Sequence, residues 1–129
     1  MSFKINWEPN GVYVKFSGPA TASVALRATV DVQQDPRFDK LSYVIMDCLD
    51  TDKTDSSQLG ADSAIVAQII AIRTGGFFIN RKVRFALITT DENLKLQVNQ
   101  SHTGFPLPNP SRVFSTLAEA HEWVTQLNP

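Results

Sequence analysis

Two adjacent serines follow a run of aspartates in the middle of the chain. Ser56 and Ser57 come directly after Asp55. Serine is among the residues preferred at a helix N-cap, and an apolar helical pattern follows, so a helix cap is one interpretation. The other is a phosphoacceptor. A phosphate adds about −1.5 to −2 charges, which a helix N-terminus favours and neighbouring aspartates oppose. Because these effects roughly cancel within the free domain, we expect any switch to act across an interface with a partner.

The aspartates themselves suggest a metal site. Asp47, Asp50, Asp52 and Asp55 offer the oxygen ligands that Mg²⁺ and Ca²⁺ prefer. The EF-hand pattern is not met, because the sixth position counted from Asp50 is Asp55 rather than glycine. A solvated loop is therefore the favoured interpretation, and we expect no metal.

The residue types that usually carry catalysis are few and scattered. Cys48 is the one cysteine and lies on an apolar segment, where we expect a small buried hydrophobic residue. His121 is expected on the solvent side of the last helix, and His102 near a helix end. No GxSxG, P-loop or GxGxxG motif is present. The sequence therefore predicts no enzyme and no cofactor.

An apolar stretch follows Gly75 and Gly76. Phe77 and Phe78 are either core residues at a strand entry or a partly exposed patch. Such a patch, with Phe105 from a proline-rich loop, would serve self-association into a homodimer or bind a small apolar ligand.

The composition limits the partners. The 129 residues carry 12 basic and 13 acidic side chains, a net charge of −1, which lacks the surplus of cations typical of nucleic-acid binding. No apolar run approaches the ~18 residues of a membrane span. With one cysteine and no apolar leader at the start, we expect a cytoplasmic protein that inserts into no membrane.

The hydrophobic pattern alternates between strands and helices and predicts an α/β domain over residues 1–129. Its order is ββαβαβαβα, a single mixed sheet of about five strands that begins with a β-hairpin. The expected hairpin spans 3–17, and later strands span 41–49, 83–89 and 113–114. The expected helices span 22–34 and 58–73, then one from residue 90 and one after Thr116, with 50–57 as a loop.

Three stretches give this order a family resemblance. They span 5–18, 35–47 and 114–123, and include Asn6-Trp7-Glu8, Asp35-Pro36-Arg37-Phe38-Asp39 and Glu122-Trp123. With them the chain resembles the SpoIIAA-like proteins, a bacterial group with the STAS fold, in a branch without an established activity. The resemblance implies the fold and an anti-anti-sigma-like regulatory role.

One shared motif concerns mechanism. Residues 55–60 read Asp-Ser-Ser-Gln-Leu-Gly, where anti-anti-sigma members of that family carry Asp-Ser-Ser-Gly-Leu-Gly. The resemblance implies that Ser56 is phosphorylated, with Asp52, Asp55 and Gln58 contacting a protein partner such as a regulatory kinase or an anti-sigma-like protein. Gln58 departs from the family glycine, and its side chain would hinder the close approach of a kinase.

Two functions remain open. The first is a non-catalytic regulatory interaction module, phospho-switched at the start of the helix after the third strand. The second is a carrier of a small apolar ligand, by analogy with the architecture of CRAL-TRIO domains.

Overall fold

The computed structural model describes residues 2–18, 22–51, 82–92 and 111–126. These ranges contain a five-stranded sheet in the order β1-β2-β3-β4-β5. The predicted helix over 58–73 and the predicted site residues after Thr51 lie outside them. Of the helix predicted from residue 90, Glu92 is described and is helical.

The chain begins with the predicted hairpin. Strand β1 (Ser2–Trp7) pairs antiparallel with β2 (Gly11–Gly18), with Trp7 opposite Val12. The Glu8 N–H donates to the Gly11 carbonyl at 2.8 Å and closes a turn over Pro9 and Asn10. Proline presets φ in such a turn, and the alternating apolar residues on either side form one half-buried face.

A helix and a short 3₁₀-helix follow. Helix α1 (Ala22–Gln33) ends near the predicted position, but residues 36–40 were not predicted to be helical. Instead of only ending α1, Pro36 begins the 3₁₀-helix Pro36–Lys40. Proline suits a first helical position, and the Asp35 carboxylate caps the turn by accepting from the Arg37 N–H at 2.9 Å. The turn buries Phe38 completely.

The remaining strands run parallel to β2. They are β3 (Tyr43–Thr51), β4 (Arg84–Ile88) and β5 (Ser111–Phe114), and each is parallel to its preceding neighbour in the sheet. Residues 43–47 of β3 are all buried, as expected for a central strand covered on both faces. One boundary was wrong: Asp50 and Thr51 belong to β3 rather than to a loop.

The last helix, α2 (Leu117–Thr125), begins after Thr116, which is its N-cap. The Glu119 N–H donates to Thr116 Oγ1 at 3.2 Å, and that hydroxyl donates to Glu119 Oε1 at 2.9 Å. At the other end Arg84 donates from Nη1 to the Trp123 carbonyl at 2.7 Å. A cation there satisfies a free carbonyl and complements the helix dipole.

Two apolar clusters lie on opposite faces of the sheet. One joins α1 and the 3₁₀-helix to the sheet through Val12, Val14, Ala28, Phe38 and Val44. The other joins α2 to β3 and β4 through Ile45, Ile88, Ala120 and Val124. The predicted α/β class with one mixed five-stranded sheet is therefore confirmed. Among the described helices, none has the length and apolar character needed to cross a bilayer.

Candidate partner-binding end of the sheet

The predicted site residues lie outside the described ranges. They are Asp52, Asp55, Ser56, Ser57 and Gln58 for the switch, and Phe77, Phe78 and Phe105 for the apolar patch. Their roles therefore stay predictions. What the structure describes is the end of β3, the strand that precedes Asp52 in the sequence.

The end of β3 lies at the carboxyl end of the parallel strands, where β2, β3, β4 and β5 finish. Strand β3 ends at Thr51, which is paired with Gly18 at the end of β2. Gly18 has φ 83°, a conformation that favours glycine, as the chain leaves the sheet. Asp52, the first of the predicted switch residues, follows directly after Thr51 in the sequence.

An irregularity in β3 shapes this end. Lys15 is paired with Asp47, and the next pair in the register is Ser17 with Asp50, so β3 carries one residue more than β2 over this span. Such a β-bulge changes which face later side chains occupy. Without it, residues three apart on a strand would point to opposite faces. With it, Asp47 and Asp50 both reach the side of β2 that carries Tyr13 and Lys15.

Asp47 is the buried carboxylate of this end, at 5% exposure. It accepts the Tyr13 hydroxyl on Oδ2 and the Leu49 N–H on Oδ1, the latter at 3.0 Å. Burial, followed by the hydrogen bond to Asp47, raises the pKa of Tyr13, so the tyrosine remains a donor at neutral pH. A buried carboxylate needs such partners, and here they hold the bulge in place.

Asp50 and Leu49 are the exposed residues at the end of β3. Asp50 Oδ2 lies 3.0 Å from Lys15 Nζ, and both side chains are largely in solvent. The hydrogen bond and the charge of Asp50 raise the pKa of Lys15. Leu49 is 41% exposed, and the Thr51 hydroxyl donates to the Cys48 carbonyl at 2.7 Å. An exposed leucine beside an ion pair offers groups for recognition of another surface.

The residues considered for catalysis or metal binding have partners or positions that do not form a catalytic or metal site in the described ranges. Asp47 and Asp50 are engaged by Tyr13 and Lys15, and the ranges described contain no cluster of three His, Cys, Asp or Glu residues able to hold a metal. His121 is exposed on α2, as predicted, with its ring 6.3 Å from that of Tyr43. Cys48 was expected to be buried and is half-buried, because β3 bulges at this point.

The Tyr13–Asp47 and Lys15–Asp50 pairs were not predicted from the sequence. A signal existed, since Asp47 interrupts an apolar central strand and a buried carboxylate requires a donor. The partners depend on the register between β2 and β3 and on the bulge, and neither follows from the composition of either strand.

A comparison with solved structures finds similar folds, and one of the matches extends across nearly the whole chain. The fold is similar to that in the crystal structure of an anti-sigma factor antagonist from Mycobacterium paratuberculosis. The TM-score is 0.58 and the sequence identity is 14%, and the match covers 97% of this chain and 94% of the other. No protein-family model and no curated protein matches the sequence. The chain therefore has the STAS-type fold that its sequence resemblance implied.

Proposed function

We propose that this chain is a non-catalytic regulatory module that binds a protein partner at the carboxyl end of the parallel strands. Phosphorylation at Ser56 or Ser57 switches that binding. The observation that carries the proposal is the end of β3 at Thr51, beside the exposed Leu49 and the Lys15–Asp50 ion pair.

The distance between the switch residue and this end is bounded by the chain. Ser56 lies five residues after Thr51 in the sequence. A chain extends at most ~3.3–3.6 Å per residue, so Ser56 is within about 18 Å of Thr51. A partner surface of ordinary size, about 800 Å² per side, covers both Leu49 and the phosphoacceptor.

The charge of the phosphate supplies the switch. It adds about −1.5 to −2 charges next to Asp50, Asp52 and Asp55. Lys15 is a cation at this end of the sheet, and its exposed pair with Asp50 exchanges easily because exposed ion pairs are weak. The phosphate would draw Lys15 away from Asp50 and would repel a partner that bears carboxylates against this end.

The shared fold supports a protein partner by analogy. The similar solved structure is of an anti-sigma factor antagonist. Because one fold hosts many functions, the analogy supports the class of partner and leaves its identity to experiment.

Capture from the native cells tests the switch. Protein purified from those cells should carry one phosphate on Ser56 or Ser57, measured by peptide mass spectrometry. The Ser56→Asp and Ser57→Asp double variant should lose a partner that the corresponding alanine variant retains. Ser42→Asp is the matched control, since Ser42 is exposed and directly precedes β3, so that it lies at the opposite end of the strand and its substitution should retain the partner.

A substitution at Leu49 tests the surface separately from the switch. Leu49→Ala should weaken capture while leaving the melting temperature unchanged, because much of the side chain is in solvent. Leu117→Ala is the control, since Leu117 is equally exposed but lies on α2. Unmodified serines together with full capture by every variant would contradict the proposal.

A further inference from the structure

Strand β1 forms one edge of the sheet, and the turn after it determines which backbone groups face outwards. Glu8 and Gly11 exchange N–H···O bonds of 2.8 and 3.4 Å, so they form a hydrogen-bonded pair. Such pairs alternate with non-bonded pairs in an antiparallel ladder, so Asn6 and Lys4 also bond towards β2. The N–H and C=O groups on the outer side belong to Phe3, Ile5 and Trp7.

This edge is able to pair with another strand. Its register with β2 is continuous from residue 2 to residue 7, so β1 has no bulge, and it contains no proline. Within residues 2–18, 22–51, 82–92 and 111–126, no strand pairs with the outer side. The side chains of Phe3, Ile5 and Trp7 are half-buried, which leaves apolar surface at the edge. Open edges of this kind are templates for pairing with another chain.

We propose that the occupant is a second copy of this chain, paired antiparallel through β1 about a two-fold axis at Ile5. The two five-stranded sheets then form one continuous sheet. This homodimer is independent of the switch proposed above, which lies at the carboxyl end of the strands.

The register follows from charge and hydrogen bonding. Outward residues must face outward residues, so the axis can lie at Lys4, Ile5 or Asn6. An axis at Lys4 sets two like charges directly opposite each other, which is unfavourable. An axis at Asn6 sets Phe3 opposite Pro9 of the second copy, and proline has no N–H to donate.

The axis at Ile5 satisfies every outward group. Ile5 faces Ile5 of the second copy, and Phe3 faces Trp7 twice, so all three outward N–H and C=O pairs find partners. These apolar side chains lie on the face that packs against α1. On the other face Lys4 lies opposite the neutral Asn6 of the second copy. Its diagonal neighbours there are Lys4 and Glu8 of the second copy, so the repulsion from one offsets the attraction to the other.

Charge substitutions at Asn6 test this register. The side chain is exposed, so changes there perturb the fold little. Asn6→Glu sets a carboxylate opposite Lys4 twice and should tighten the dimer, whereas Asn6→Lys should weaken it, each by about 2- to 30-fold in the dissociation constant. Ser42→Glu and Ser42→Lys introduce the same charges at a position outside β1 and should leave the dissociation constant of the dimer unchanged. Sedimentation equilibrium of the full chain measures the constants.

Amide hydrogen exchange locates the contact. The amides of Phe3, Ile5 and Trp7 should exchange more slowly as protein concentration rises, while that of the exposed Ser42 control stays constant. A chain that is monomeric at all concentrations overturns the proposal. So does a dimer whose constant is insensitive to Asn6, or one in which those three amides remain unprotected.

Discussion

The two ends of the parallel strands each carry a tyrosine that donates to a carboxylate, but the surroundings of the two pairs differ. At the amino end, Tyr43 donates to Glu8 and its ring lies directly over Gly11 on the neighbouring strand. Towards the carboxyl end, Tyr13 donates to the buried Asp47 beside a bulge. The first pair sits in a regular, close-packed register, and the second sits where the register changes.

The difference separates stability from recognition. The amino end is closed by the turn after β1, by the 3₁₀-helix that buries Phe38, and by the ring of Tyr43 over glycine. The carboxyl end uses its buried carboxylate to hold a bulge, which leaves Leu49 and the Lys15–Asp50 pair in solvent. Substitutions at the amino end should therefore cost folding free energy, and those on the exposed carboxyl end should mainly affect binding.

The largest effect is expected from Phe38→Ala at the amino end. Phe38 is fully buried, and removing such a ring costs about 3–5 kcal/mol of unfolding free energy through lost burial and the cavity left behind. Urea denaturation measures the loss. The neighbouring Asp39→Ala, at an exposed position, should stay within about 0.5 kcal/mol. Similar losses for the two variants would refute a packing role for the 3₁₀-helix.

Gly11→Ala is expected to cause the second largest loss of unfolding free energy. A Cβ at this position would overlap the ring of Tyr43, which is buried and has little room to move. Overpacking should cost about 2–3 kcal/mol, near the upper part of the usual range. A double-mutant cycle supplies the control: in a Tyr43→Ala background the same substitution should cost much less. An equal cost in both backgrounds would mean that the ring is not the obstacle.

The two tyrosine pairs can be compared directly. Tyr13→Phe leaves the buried Asp47 with one donor fewer and should cost about 1–2 kcal/mol. Tyr43→Phe should cost less, under about 1 kcal/mol, because Glu8 is only half-buried and water can replace the lost donor. Thermal melts of the two variants show which loses more stability. A larger loss for Tyr43→Phe than for Tyr13→Phe would contradict the proposed difference between the two ends.

The smallest effect concerns protonation of Asp35. Its hydrogen bonds from the Arg37 side chain and backbone lower the pKa of Asp35 from 3.8 to about 2. Because the folded pKa is depressed, any stability from this pair is present above pH 3.8 and is lost as pH falls towards about 2. An NMR titration should show this pKa, and Arg37→Ala should return it towards its ordinary value. An unchanged pKa in that variant would exclude Arg37 as the cause.

Much of the architecture was predictable because local patterns determine it. The Glu8–Gly11 turn, the Thr116 N-cap and the doubly apolar run of β3 each depend on residues close together in sequence. The 3₁₀-helix was missed because the burial of Phe38, which favours the turn after Pro36, depends on the tertiary structure. Proline by itself also suits a simple helix stop, so the pattern had two readings.

The sequence by itself determined the order of the elements that the structure describes, apart from the 3₁₀-helix, the class of fold and the scarcity of residue types suited to catalysis, since these follow from periodicity, capping and composition. The tertiary structure decided which side chains meet. Asp47 finds Tyr13, Asp50 finds Lys15 and Tyr43 covers Gly11 because of strand register and one bulge. Register is set by the packing of both faces of the whole sheet, so pairs more than thirty residues apart cannot be read from either strand separately.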